Sequence, residues 1–376
     1  MFLKIPVGIL VSDLIGLLII ANLIINKRYK INKVIIIAFS FFLFGGFLGM
    51  FQSPDIVRSL KGIIQQALVI FMLYPVMKNY IKDDLSFNKV LIYYKNGVLF
   101  LSILIVLYYI FNIDIGVVST AYARSRTIIG DTGPNVVARI LVIGALITLY
   151  FTQIRSIEKN KYKLYIEFLI ISFGVFSTAS VSGVLLLTIG VVWVLYRYNL
   201  KRDTKNIKRL FLFFLLGILI IIFSYNQYDI VRVKIDNTLQ RVNIAFFTYD
   251  DIKSNNRVLL LTGFTEYIGR YWIFGIGYSN SNYLAEKTIH FPLIAAIVEV
   301  GIIGFMGVFI MYFYPIYRIF KGRKTVQFDI ATILSVLIII GDMIQPNPNY
   351  RSTWFAILLP LMLIKTYHKE VFEVKT

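Results

Sequence analysis

The chain has 376 residues, 58% of them hydrophobic and only 16% charged, with a mean hydropathy of +0.73. A soluble domain carries about a quarter charged residues, so this composition excludes a soluble globular protein and favours an α-helical protein that crosses a membrane many times. The net charge of +19 then reads as basic cytoplasmic loops rather than as a nucleic-acid surface, and with no cysteine and two histidines neither thiol chemistry nor a built-in transition-metal site is expected.

About 20 apolar residues in helical form cross roughly 30 Å of hydrocarbon. On that measure spans are predicted at about 5–25, 34–51, 60–77, 97–113, 135–152, 164–178, 183–198, 210–225, 291–316, 328–345 and 353–366. Lys and Arg are concentrated at 26–33, 78–96, 155–163, 197–209, 317–324 and from Lys365 onward. Those segments alternate with poorer ones at 52–59, 114–134, 179–182, 226–290 and 346–352, which places the first set in the cytoplasm and the second outside. Residues 164–198 are too many for one span, and both flanks are basic. Two short helices joined at "STASVSG" (Ser177–Gly183) are therefore predicted.

The expected fold is thus all-α and polytopic, with about eleven transmembrane helices (ten to twelve) and one large extracytoplasmic loop. It divides into a bundle at 1–225, the loop at 226–290, and C-terminal helices with a cytoplasmic tail at 291–376. The count puts the N-terminus outside. That is unusual for an unsignalled chain, and points to an upstream span or a miscounted one.

Within the loop, "NNRVLLLTGFTEYIGR" (255–270) reads as an amphipathic helix. Asn255 or Asn256 can cap it, Val258, Leu261, Phe264, Tyr267 and Ile268 form its apolar stripe, and Glu266 stands four residues before Arg270. "YWIFGIGYSNSNY" follows, whose G-x-G lacks the strand before and helix after of a dinucleotide fold.

Of the two histidines, His368 lies in the tail and His290 at the outer end of the ninth span. Imidazole is well placed for proton transfer near neutral pH. The bland alternative is an interfacial histidine that caps the loop. Glu299 lies two to three turns into the span that follows, where carboxylates are rare and ordinarily face a cavity or a partner. Gly301, Gly304 and Gly307 give that helix a smooth packing face.

Outer arginines supply the planar fork that binds phosphate. Arg124 and Arg126 stand in "YARSRTIIGDTGPN", and Arg257 opens the amphipathic helix. Arg139 lies a turn inside the fifth span, where its bland reading is a snorkelling anchor. Asp13 and Asp342 are too scattered for a transporter's ion path, and each reads better as a core or helix-end charge.

Taken in order, these elements resemble the O-antigen ligase/polymerase family of bacterial envelope polysaccharide synthesis. The resemblance runs from "R…G..GPN..A" (Arg124 to Ala138) through the Ser/Gly hairpin and the arginine-led helix to "FGIGYSN" (274–280). It ends on His290 with "E.GIIG" (Glu299 to Gly304), so that it covers roughly residues 120–310. The chain departs from the family pattern at Val181 after Ser180, at Trp272–Phe274 before the G-x-G, and at Phe291 after His290. The exact donor and acceptor stay open on that account.

What the resemblance implies is a GT-C-like membrane glycosyltransferase in the cell membrane. It would need no cofactor and no metal, and would act on a polyprenyl-pyrophosphate-linked oligosaccharide at the outer face. His290 would serve the acceptor hydroxyl and Glu299 would order or polarise the site. Arg257, Arg124, Arg126 and, more weakly, Arg139 would bind the pyrophosphate. Membrane lipids, a chain-length regulator and a flippase are the partners it implies, and nucleic acid is not among them. A polymerase of repeat units is the first reading, and a ligase using the same carrier is its close alternative. A lipid-linked glycan flippase is the rival from another class. It predicts internal repeats that the sequence lacks.

Overall fold

The computed structural model describes residues 11–29, 31–110, 113, 116–121, 126–130, 132–153, 161–199, 225–226, 232, 236, 267–284, 292–320, 325–344 and 351–373. In chain order its elements are α1 (Val11–Ile25), α2 (Lys33–Met50), α3 (Ile56–Tyr80), α4 (Asp84–Ile110), β1 (Val118–Ala121), β2 (Arg126–Ile129), α5 (Pro134–Gln153), α6 (Lys161–Ser177) and α7 (Val181–Asn199). A helix end at 267–271 and a 3₁₀ turn at Ser281–Tyr283 follow. The described residues close with α8 (Pro292–Phe320), α9 (Val326–Ile344) and α10 (Arg351–Glu373).

Six of these helices, α2, α3, α4, α5, α8 and α9, are long and apolar enough to cross a membrane. The chain is a mostly helical, multi-pass membrane protein. Ten of the predicted spans coincide with a helix, and the span at 210–225 lies almost wholly outside the described residues. The chain packs as two compact units, Met1–Phe87 with Tyr249–Thr376, and Asn88–Thr248. That partition by packing cuts across the sequence-based one, which followed the membrane topology.

In the first unit α2 lies against α8 along a seam of small residues. A Cβ on Gly45 would fall 2.3 Å from the backbone nitrogen of Gly304, and one on Gly307 would fall 2.3 Å from the carbonyl of Ala38. The two backbones are therefore in contact, as small residues permit between membrane helices. Gly304 and Gly307 serve the packing role expected of them. Gly301 does not: it breaks the helix, as described below.

In the second unit α5 is the central helix, buried from Pro134 to Thr152 apart from Asn135 and Ile140 and packed by α6 and α7. The region 164–198 forms two helices, as its length and basic flanks required, with the turn at Thr178–Ser180 between them. Ser180 Oγ accepts from the Gly183 backbone at 3.2 Å and so caps α7. Glu167, nearer the start of α6, is paired with Lys95 of α4 at 2.5 Å, their side chains 8% and 3% exposed.

The two-stranded antiparallel hairpin β1–β2 was not expected; 114–134 read as loop. Val118 pairs with Ile129, and Ala121 with Arg126. Strands of four residues are invisible to a hydropathy window of span length, and only the burial of Val118, Thr127 and Ile129 reveals the inward face. Thr127 Oγ1 joins the hairpin to α6 by donating to the Ser177 carbonyl at 2.6 Å, and it lies 2.9 Å from the Tyr109 hydroxyl of α4.

Candidate functional site: the Glu299 cradle

The site is built on a break in α8. At Gly301 the backbone turns to φ 63° and ψ −176°, outside the helical region. Only glycine adopts that conformation without strain. A Cβ there would fall 2.2 Å from the carbonyl oxygen of Ile273. The break frees backbone groups of α8, and the segment 272–276 takes them up: Ile276 N–H donates to the Val298 carbonyl at 2.9 Å, and Ile302 N–H donates to the Trp272 carbonyl at 2.7 Å. Irregular backbone at membrane depth is tolerated where protein satisfies it in this way.

Glu299 stands two residues before the break and is 8% exposed. Its Oε2 accepts from Ser279 N–H at 3.0 Å, and its Oε1 accepts from Ser281 N–H at 3.2 Å and from the Ser281 hydroxyl at 2.5 Å. The carboxylate therefore clasps "GYSNS" from inside. The loop is shaped to meet it, since Gly275, Gly277 and Ser279 all have positive φ, at 78°, 88° and 65°. Charge-assisted bonds to backbone N–H are among the strong ones.

The other side of the same loop is fastened to the start of α3. Asn280, fully buried, donates through Nδ2 to Ser53 Oγ at 2.6 Å, to Ser59 Oγ at 2.7 Å and to the Asp55 carbonyl at 3.1 Å. The carbonyl partner requires the NH₂ group on that side, which fixes the amide orientation. Asp55 caps α3 by accepting from Arg58 N–H at 2.9 Å, and its other oxygen accepts from the Tyr283 hydroxyl at 3.3 Å. The Arg58 guanidinium lies 5.6 Å from the Tyr283 ring centroid. Asn280→Ala should cost about 1–3 kcal/mol, because it strands buried hydroxyl and carbonyl partners. Thermal unfolding of the solubilised protein checks it.

The end of the predicted amphipathic helix packs on this frame. Tyr267, Ile268, Tyr271 and Ile294 pack against Ile276 and Val298, and the Tyr267 hydroxyl donates to the Leu284 carbonyl at 2.8 Å. Tyr267 and Ile268, expected on the apolar stripe, pack on this apolar cluster, and the rest of the predicted helix, 255–266, lies outside the described residues. Arg270 is exposed, 5.5 Å from the Tyr271 ring.

His290, Arg257 and Arg124 lie outside the described residues. Arg126 is the first residue of β2. Arg139 is 2% exposed on α5, so it is a buried cation of the second unit rather than a snorkelling anchor. Asp342, expected as a core or helix-end charge, is buried and accepts from the Tyr312 hydroxyl. Ser53, Asp55, Arg58, Ser59, Asn280 and Tyr283 were not foreseen as site residues. Asn280 and Tyr283 meet α3 across more than 200 positions of sequence, a separation no local pattern carries. The chain matches no protein-family model and no curated protein.

Proposed function

We propose that the chain is a cell-membrane glycosyltransferase that polymerises polyprenyl-pyrophosphate-linked oligosaccharide repeat units into a surface polysaccharide. One observation carries the reading. The two segments richest in the family resemblance, "FGIGYSN" and "E.GIIG", are bonded to each other through Glu299, although Ser279 and Glu299 stand 20 positions apart. Residues 267–271, the end of the predicted arginine-led helix, pack on that joint, and His290 stands two positions before α8 in sequence, which supports a site at this end of the first unit.

In the transfer, the acceptor hydroxyl oxygen attacks the anomeric carbon of the donor glycan. The carbon–oxygen bond to the pyrophosphate breaks, and polyprenyl pyrophosphate departs with the electron pair. His290 takes the hydroxyl proton, a role that typically yields about 10²–10⁴-fold. Arg257, in the same unit as His290, is the proposed cation for the leaving group, whose charge is best met by preorganised donors in a partly dry site. Glu299, with both oxygens committed to the loop, is a positioning residue. A chain-length regulator and a flippase are the proposed protein partners.

The test is polymer formation from purified lipid-linked repeat units in proteoliposomes. Native protein should build a ladder, and His290→Ala and Arg257→Ala, with unchanged thermal unfolding, should reduce it at least about 100-fold. A full ladder from His290→Ala would exclude histidine as the base. Glycan crossing the bilayer without polymer would establish a transporter instead.

A further inference from the structure

We propose that Arg58 and Lys61, on the exposed side of α3, bind the phosphate oxygens of the lipid-linked donor where it enters the site. The inference rests on the lipid-pyrophosphate reading above and adds residues to it that the sequence resemblance does not touch.

The first observation is an anomaly in a membrane helix. The side of α3 that carries Val57, Leu60 and Ile64 is exposed and apolar, as a lipid-facing side should be, yet Lys61 and Gln65 are exposed on it as well. Among the described residues neither Lys61 nor Gln65 has a hydrogen-bond or ion-pair partner. Charged side chains within a span are costly and ordinarily find a counter-ion or a polar path. Arg58 lies three residues before Lys61, about 4.5 Å along the axis, so the two cations reach neighbouring positions.

The second observation is that Arg58 is fixed and not free to wander. Its guanidinium lies against the Tyr283 ring, Tyr283 is hydrogen-bonded to Asp55, and Asp55 caps the helix that carries Arg58. Asp55 is thereby occupied, and among the described residues the Arg58 guanidinium makes no hydrogen bond or ion pair. A snorkelling arginine has no such clamp. The third observation concerns depth. Trp272 and Tyr283 are exposed on the adjoining loop, and Trp and Tyr are enriched at the headgroup level of a bilayer. A fixed guanidinium at headgroup level, with an ammonium one turn deeper beside an exposed amide, matches a lipid whose phosphates stand at the interface and whose chain runs down α3. Asn280 ties the same end of α3 to the Glu299 loop, so the anion would be delivered at the site.

Direct binding tests the assignment without relying on turnover. The full chain in nanodiscs is titrated with polyprenyl pyrophosphate and, separately, with phosphatidylglycerol, and bound lipid is counted by native mass spectrometry. Arg58→Gln with Lys61→Gln should weaken polyprenyl pyrophosphate on the order of tenfold or more and leave phosphatidylglycerol unchanged. Arg58→Lys, which keeps the charge and loses the fork, should fall between. Lys61→Gln alone, at an exposed position, keeps the comparison free of folding effects. Equal loss of both lipids would make the pair a general anionic-lipid contact and overturn the proposal, as would unchanged binding of the pyrophosphate. Failure of the native chain to bind polyprenyl pyrophosphate would sink the donor reading itself, and this inference with it.

Discussion

Replacing Glu299 with alanine is expected to destabilise the first unit by about 3–5 kcal/mol, since it strands several buried donors at once. The Ser279 and Ser281 N–H groups and the Ser281 hydroxyl all point at this carboxylate. Each unsatisfied buried donor costs about 1–3 kcal/mol, and the carboxylate's own bonds are charge-assisted. Glu299→Gln is the informative companion. Its amide keeps one carbonyl acceptor but turns an NH₂ toward a backbone N–H, so a loss of about 1–3 kcal/mol is expected. Hydrogen exchange at Ser279 and Ser281 should accelerate in both variants, more in the alanine one, along with a lower thermal midpoint. An alanine variant as stable as the native chain but unable to build polymer would assign Glu299 to the chemistry instead.

The second large effect concerns Lys95 and Glu167. Lys95→Met should destabilise by about 3–5 kcal/mol, because it leaves a buried carboxylate without its partner. Lys163 cannot replace the lost cation. It lies 3.8 Å from the other oxygen of Glu167, but its side chain is 62% exposed and shares its charge with solvent. Removing both members, Lys95→Met with Glu167→Leu, should restore stability to within about 1 kcal/mol of native or exceed it. Lys163→Ala should change it by less than about 0.5 kcal/mol, as exposed pairs do. Thermal denaturation of the four proteins decides. A double variant no more stable than Lys95→Met would mean that the pair acts through something other than mutual neutralisation.

Much of the helical framework was legible because membrane spans are read from a long-range average. Twenty apolar residues between basic loops leave little room for another structure, and the division of 164–198 followed from its length and its basic flanks. Short strands carry no such average, so the hairpin at Val118–Ile129 was missed. Glu299 was singled out because an acid in an apolar run is costly wherever it stands. Its partners were not, since serine and asparagine are ordinary in loops and acquire meaning only when α3 is brought beside them. Gly301 shows the limit most clearly. In sequence it is one of three evenly placed glycines on a packing face, and only φ and ψ separate the one that bends the chain from the two that admit a neighbour.

That bend also sets a length. Taken as one rod, α8 would rise about 43 Å, well beyond the roughly 30 Å of a bilayer's hydrocarbon. Interrupted at Gly301, its remainder from Ile302 to Phe320 rises about 28 Å, which is one hydrocarbon thickness. Pro292–Val300 is thereby released from spanning duty and can lie at headgroup depth, carrying Glu299 with it. The height of the site above the acyl chains is then set by hydrophobic matching below the bend. A lipid-borne substrate in a bilayer of that thickness would present its phosphates at the level where α8 stops being a membrane helix.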